Sequence, residues 1–120
     1  MSPAPRRVLV VDDHEGFRTA ARSLLAAAGY QVVGEASDGE SAINETERLH
    51  PDVLLLDVQL PGVDGFAVAQ AVARQRARPA VVLISSHDAG TYGRRLDDAP
   101  VVGFLTKSEL SGPALARLLG

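Results

Sequence analysis

Five side chains stand out by chemical type and position: Asp12 and Asp13 directly after VLVV, Asp57 after VLLL, Ser85 after VVLI, and Lys107 shortly after VVGFL. Three of them are carboxylates. Two carboxylates ~5 Å apart repel by roughly 3 kcal/mol at an effective dielectric near 20. Lys107 can offset one of the three charges, so the excess must raise a pKa, recruit a cation, or both. Oxygen donors without sulfur or clustered histidine favour a hard divalent ion, most simply Mg²⁺. A cation beside a carboxylate also shields it from an incoming phosphoryl group. Asp57 is the best nucleophile, because it closes a fully apolar run and the turn Leu60-Pro61-Gly62 is expected to leave it accessible. A carboxylate can form an acyl phosphate directly. Ser85 could donate a hydrogen bond to the phosphoryl group, and Lys107 could pair with another of its oxygens.

Taken singly, each residue has an ordinary explanation. An acidic pair or an Asp after a strand is common cap and turn chemistry. Ser85-Ser86-His87-Asp88 could be a loop leading into a helix, and one lysine is usually a surface charge. The joint placement of all five after separate apolar runs is what points to a site.

The elements that must position them follow from the apolar pattern. Strands are expected at Val8–Val11, Gln31–Val33, Val53–Leu56, Ala80–Ile84 and Val101–Leu105. Phe17, Ala20, Ala21, Leu24, Leu25 and Ala28 recur at helical spacing, with Gly29 at the expected C-terminal cap. Ser37-Asp38-Gly39 opens a second helix over Glu40–Leu49, closed by His50-Pro51. Asp64 caps a third helix bearing Phe66, Val68, Ala69 and Val72, and Leu115, Leu118 and Leu119 mark a short last one. The fourth helix carries Gly90 and Gly93, each costing about 1 kcal/mol relative to Ala, and is expected to be short or mobile. Apolar strands alternating with helices predict an α/β fold, a doubly wound five-stranded parallel sheet of the flavodoxin-like (βα)5 kind. In such sheets the site lies beyond the carboxyl ends of the strands, where all five residues fall.

Composition narrows the field. The chain has 120 residues, 46% hydrophobic and 22% charged, which suits one domain over residues 7–120 behind a loose tail over residues 1–6. A net charge of −3 gives no footprint for gripping nucleic acid or anionic lipid. With no cysteine, thiolate catalysis, disulfides and sulfur-bound zinc are excluded. The absence of a signal-like or membrane-length apolar run leads us to expect a soluble, cytoplasmic protein. His14 is expected at the start of the first helix, exposed beside the acids. His50 reads as helix punctuation, and Arg74, Arg76 and Arg78 as a solvated helix end. His87 and Gln59 could border the path of a hydrolytic water.

The chain resembles a receiver domain of two-component response regulators over residues 6–119. The resemblance is carried, in order, by VLVVDDHEGFR, LLLDVQLPGVDGF, VVLISSHD and GFLTK. It implies that Asp57 accepts a phosphoryl group from a sensor histidine kinase or phosphotransfer protein, with slow autodephosphorylation and no independent substrate. It implies Mg²⁺ held by Asp13 directly, by Asp12 mostly through water, by Asp57, and by the backbone carbonyl of Gln59. Ser85 and Lys107 would hold phosphoryl oxygens, Phe104 would be the switch aromatic following Ser85, and signalling would leave through the fourth helix, fifth strand and fifth helix. The resemblance also admits a phosphorylation-dependent homodimer. Two positions depart from the common pattern: Lys107 is followed by Ser108 where many receivers carry a cis proline, and position 104 is Phe rather than Tyr. VVGEASDGESAI resembles receivers that precede a helix-turn-helix DNA-binding domain, so these residues suit either a single-domain regulator or part of a longer chain.

Three other readings compete. A haloacid-dehalogenase-type aspartyl-phosphate phosphatase wants a second Asp two residues after the nucleophile, where this chain has Gln59. A flavodoxin-like cofactor binder would have phosphate facing Asp12-Asp13, which repel it. A degenerate receiver would act only as an interaction module.

Overall fold

The three central apolar runs become strands because both of their faces are covered. In a computed structural model, residues 4–120 are described. The expected tail lies partly outside the described residues (Met1 to Pro3), while Ala4, Pro5 and Arg6 are exposed and precede the first strand. The strands are β1 (Arg7–Val11), β2 (Gln31–Ala36), β3 (Val53–Asp57), β4 (Ala80–Ser85) and β5 (Gly103–Thr106). The helices are α1 (Glu15–Ala27), α2 (Gly39–Leu49), α3 (Gly65–Val72), α4 (Arg94–Asp97) and α5 (Gly112–Leu119). The five strands form one parallel sheet in the order β2-β1-β3-β4-β5.

Alternate residues of the central strands feed two cores. Leu9, Val11, Leu54, Leu56, Val81 and Leu83 pack with Ala42 of α2 and with Phe66, Val68, Ala69 and Val72 of α3. Val8, Val10, Val53, Leu55, Val82 and Ile84 pack on the other face with Ala21 and Leu25 of α1 and with Ala114 and Leu115 of α5. Each fully buried Leu, Ile or Val contributes roughly 1.5–3 kcal/mol. The helix starts are set by short polar side chains: Asp38 accepts from Ser41 N at 2.7 Å, Asp64 from Ala67 N at 2.9 Å, and Ser111 from Ala114 N at 3.1 Å. His50, at φ 48°, takes the left-handed turn that ends α2 before Pro51.

Three boundaries differ from the sequence pattern. Strand β2 runs three residues further than Val33, because its ladder with β1 resumes after a register shift at Val8/Leu9 and continues to Ala36. Strand β5 begins at Gly103, not Val101, since pairing with β4 starts at Val82↔Gly103 and Val102 is exposed. The fourth helix is short, as expected: a 3₁₀ turn over Ala89–Thr91 is followed by only four α-helical residues.

The chain passes from β1 to β2 on one side and to β3 on the other, so β1 and β3 flank the point where the winding reverses. The register pairs Val11 with Leu56, which brings Asp12, just past the end of β1, level with Asp57, the last residue of β3. Gly65 holds α3 against this edge: a Cβ there would run into the carbonyl oxygen of Asp57 and stand 2.8 Å from Val58 Cα, both rigid backbone. Gly65→Ala is therefore expected to lower stability by about 2 kcal/mol or more in denaturant titration. Gly16, in α1 with open space around it, provides the contrast: Gly16→Ala is expected to raise stability by roughly 0.5–1 kcal/mol.

Candidate functional site

Four of the five residues first singled out are drawn into one cluster of charges, and the fifth closes the strand beside it. Asp12 follows β1 and is fully buried; Asp57 ends β3 and is 3% exposed. Lys107 reaches between them, its Nζ 2.7 Å from Asp12 Oδ2 and 3.2 Å from Asp57 Oδ2. The same ammonium lies 4.7 Å from the centre of the Phe17 ring, so an aromatic face steers it from below. Asp13 is the open member of the set, with a third of its side chain exposed. Ser85 ends β4, which pairs directly with β3 through Ile84↔Asp57. Its hydroxyl accepts from His87 N at 3.0 Å and bonds the Tyr92 hydroxyl at 2.6 Å.

Backbone groups fix the carboxylates. Gln59 N donates to Asp57 Oδ1 at 3.1 Å, and His14 N donates to Asp12 Oδ1 at 2.8 Å. Arg18 of α1 ties the loop down by donating to the Asp12 carbonyl at 2.7 Å while pairing with Glu35 of β2 at 3.0 Å. Lys107 is placed without a cis peptide bond, of which there are none among the described residues. It starts a 3₁₀ turn, Lys107–Glu109, in which the Glu109 carboxylate accepts from Thr106 N at 3.0 Å and from Thr106 Oγ1 at 2.8 Å. These two bonds tie Glu109 back to the end of β5 and hold the turn that carries Lys107.

One expectation needs correction. The Leu60-Pro61-Gly62 turn does not leave Asp57 openly accessible; the carboxylate is nearly buried because β1 and β4 flank its strand and Lys107 lies against it. Asp13, His14 and Gln59 around it are exposed.

Burial governs the electrostatics. Desolvation pushes the Asp57 carboxyl up from 3.8 to about 6; the Asp12 charge adds to the rise, while the Gln59 N–H and Lys107 oppose it. For Lys107 burial works against the charged form, but its bonds and charge interactions with Asp12 and Asp57 outweigh it and hold the ammonium above its usual value. Lys107 is therefore a permanent cation, while Asp57 is strained as an anion.

The donor set fits a hard divalent ion. Asp12, Asp13, His14 and Asp57 each offer a ligand atom within 4.8 Å of the others. His14, exposed as expected, has Nδ1 3.0 Å from Asp13 Oδ1. Sequence reasoning missed Phe17, Arg18, Glu109 and Tyr92 as parts of this region. Phe17 carried only a core signal, and Tyr92 sits between two glycines where no helical register can be read.

A carboxyl that holds its proton more tightly when folded favours the folded state below its unfolded pKa, and that advantage is lost as pH rises through the folded pKa. Without divalent metal, stability is thus expected to fall from pH 4 towards pH 7 on account of Asp57, whose folded pKa is about 6. Asp57→Asn should flatten this slope and stabilise the protein at pH 7 by roughly 1–2 kcal/mol, Lys107 keeping Asp12 as partner. Denaturant midpoints at the two pH values check it.

Comparison with known proteins agrees with this geometry. A family model described as response regulator receiver domain matches residues 8–117. Response regulator GacA of Pseudomonas viridiflava is 37% identical over 114 residues, which is 94% of this chain and 51% of that protein. The DNA-binding transcriptional activator EvgA of Escherichia coli is 31% identical over 84% of this chain and 50% of its own length. The chain thus spans about half the length of these curated relatives. The signal receiver domain of the putative response regulator NarL from Mycobacterium tuberculosis superposes with a TM-score of 0.85 at 37% identity, covering 98% of this chain and 99% of that one. With its five-stranded parallel sheet and its acidic cluster at the strand ends, the chain belongs to the response regulator receiver domains of two-component systems.

Proposed function

We propose that Asp57 is the phosphoacceptor and that this chain works as a switch whose state is an acyl phosphate at that residue. The observation that carries the reading is the meeting of Asp12, Asp57 and Lys107 within 3.2 Å contacts at a winding reversal, with Asp13 at the open side. A carboxylate oxygen of Asp57 would attack the phosphorus of a phosphohistidine in a sensor kinase or phosphotransfer protein. The P–N bond would break, and the imidazole nitrogen would leave with its electron pair and take up a proton. Lys107 would then share its charge with a phosphoryl oxygen instead of the free carboxylate, and Ser85 would donate to another.

Asp12, Asp13, Asp57 and the Gln59 carbonyl would hold Mg²⁺, which supplies charge neutralisation when bound. Family membership supports the ion and a cytoplasmic setting. Slow loss of the phosphoryl group by hydrolysis belongs to the same reading, with His87 and Gln59 beside the acceptor loops. We assign Phe104, half-buried on β5, as the aromatic that follows Ser85, and α4, β5 and α5 as the output face. The downstream partner would be a protein or an attached effector segment, since this acidic domain offers no nucleic-acid footprint. The phosphatase alternative is disfavoured because position 59 contributes its backbone N–H to Asp57 and carries no carboxyl acid. The intact acidic set disfavours a purely degenerate interaction module.

Acetyl phosphate with Mg²⁺ is expected to add one labile phosphoryl group in intact-mass measurement, and Asp57→Asn to prevent it; unchanged labelling of that variant would refute the assignment. Mg²⁺ alone should stabilise the folded protein, by about 2.7 kcal/mol at a hundredfold excess over Kd. Asp13→Asn should remove most of that gain in a thermal melt.

A further inference from the structure

The hydroxyl of Ser85 already has partners, and they lie on the segment that leads from β4 into α4. His87 N–H occupies one of its lone pairs at 3.0 Å, and the Tyr92 hydroxyl bonds it at 2.6 Å. A hydroxyl has one hydrogen to donate and two lone pairs to fill. With His87 on one lone pair, Ser85 can satisfy Tyr92 in two ways: by giving it the hydrogen or by accepting the tyrosine's. Only the second leaves a hydrogen for a phosphoryl oxygen.

The tyrosine is placed to feel that choice. Its ring stands edge-on to Phe66 at 5.5 Å and tilted to Phe104 at 5.9 Å, so it sits between α3 and the proposed switch aromatic. Phe104 has no hydroxyl, which leaves Tyr92 to supply the polar contact to Ser85. The segment carrying it is lightly built: a 3₁₀ turn and a four-residue helix separated by Gly93 at φ 54°, with no side-chain cap on either piece. Arg95 pins the far side, stacked 4.4 Å over the Phe66 ring and paired with Asp64 at 2.8 Å.

We propose that Tyr92 is a positioning residue for phosphoryl transfer: its hydroxyl holds Ser85 in the unphosphorylated protein, and phosphorylation of Asp57 forces that bond to break or reverse, handing the change to α4. The proposal rests on the reading of Asp57 as acceptor. A net neutral hydrogen bond of about 1 kcal/mol corresponds to a roughly fivefold effect on the equilibrium it opposes.

The chain has two tyrosines and no tryptophan, so Tyr30→Phe leaves Tyr92 as the lone reporter. In that protein, acetyl phosphate with Mg²⁺ is expected to shift the near-ultraviolet absorbance of Tyr92 in step with labelling measured by mass. Adding Ser85→Ala should abolish the shift. Separately, Tyr92→Phe, which keeps the ring packing, should raise the extent of labelling at limiting acetyl phosphate about fivefold, and should change nothing further once Ser85 is Ala. A fully labelled protein with an unshifted Tyr92 spectrum overturns the proposal. So does a fall in labelling in Tyr92→Phe, or an equal effect of that substitution with and without the Ser85 hydroxyl. Absence of any label on the parent protein removes the Asp57 reading itself, and the proposal with it.

Discussion

The contact on which the site depends is the Lys107 ammonium lodged between two carboxylates that have almost no water of their own. A single positive charge cannot balance Asp12, Asp13 and Asp57, and burial makes the imbalance expensive. The molecule therefore holds a carboxylate that gains from any event that spreads or neutralises its charge. Cation binding does so; conversion of the carboxylate to an acyl phosphate moves the charge to oxygens further out but adds to it, which makes a neutralising cation the more needed. The instability is local, because the two apolar cores cover the sheet faces and the acids gather at the strand ends beyond them.

Those cores also explain why the cluster is rigid. Val8 to Val11 and Val53 to Leu56 are buried on both faces, so neither strand can slide without moving a full set of apolar side chains to the wrong side. Asp12 and Asp57 inherit their separation from that register. Lys107 is set by a different device, the Thr106–Glu109 cap on a 3₁₀ turn, and by the Phe17 ring. By contrast α4 is short, largely exposed and joined through Gly93. Rigid acids beside a loosely built reporting segment form a division of labour suited to a switch.

The central strands and the acids were readable from the sequence because both obey local rules: continuous apolar runs mean strands covered twice, and the residue after such a run lies at the site edge. The extension of β2 to Ala36 was not readable, since an edge strand with Gly34 and Glu35 lacks the apolar run, and only its pairing with β1 defines it. Val101 and Val102 looked like strand for the opposite reason: they are apolar, but Val102 is exposed and makes a single backbone bond to Val81 of β4 before the ladder begins at Gly103. The burial of Asp57 was hidden because it depends on neighbours distant in sequence. Tyr92, Phe17 and Glu109 act through contacts 7, 90 and 3 residues away, respectively with Ser85, Lys107 and Thr106; only the last has a recognisable local signature.

The most direct test of the central claim is the titration of the Asp57 carboxyl carbon by NMR, with and without Mg²⁺. A desolvated acid beside Asp12 should titrate near the value of about 6 in the metal-free protein and move to lower pH when the ion is added. A carboxyl that titrates near 4 and ignores Mg²⁺ would show that the charges at the strand ends are neither strained nor coupled, and would contradict the account.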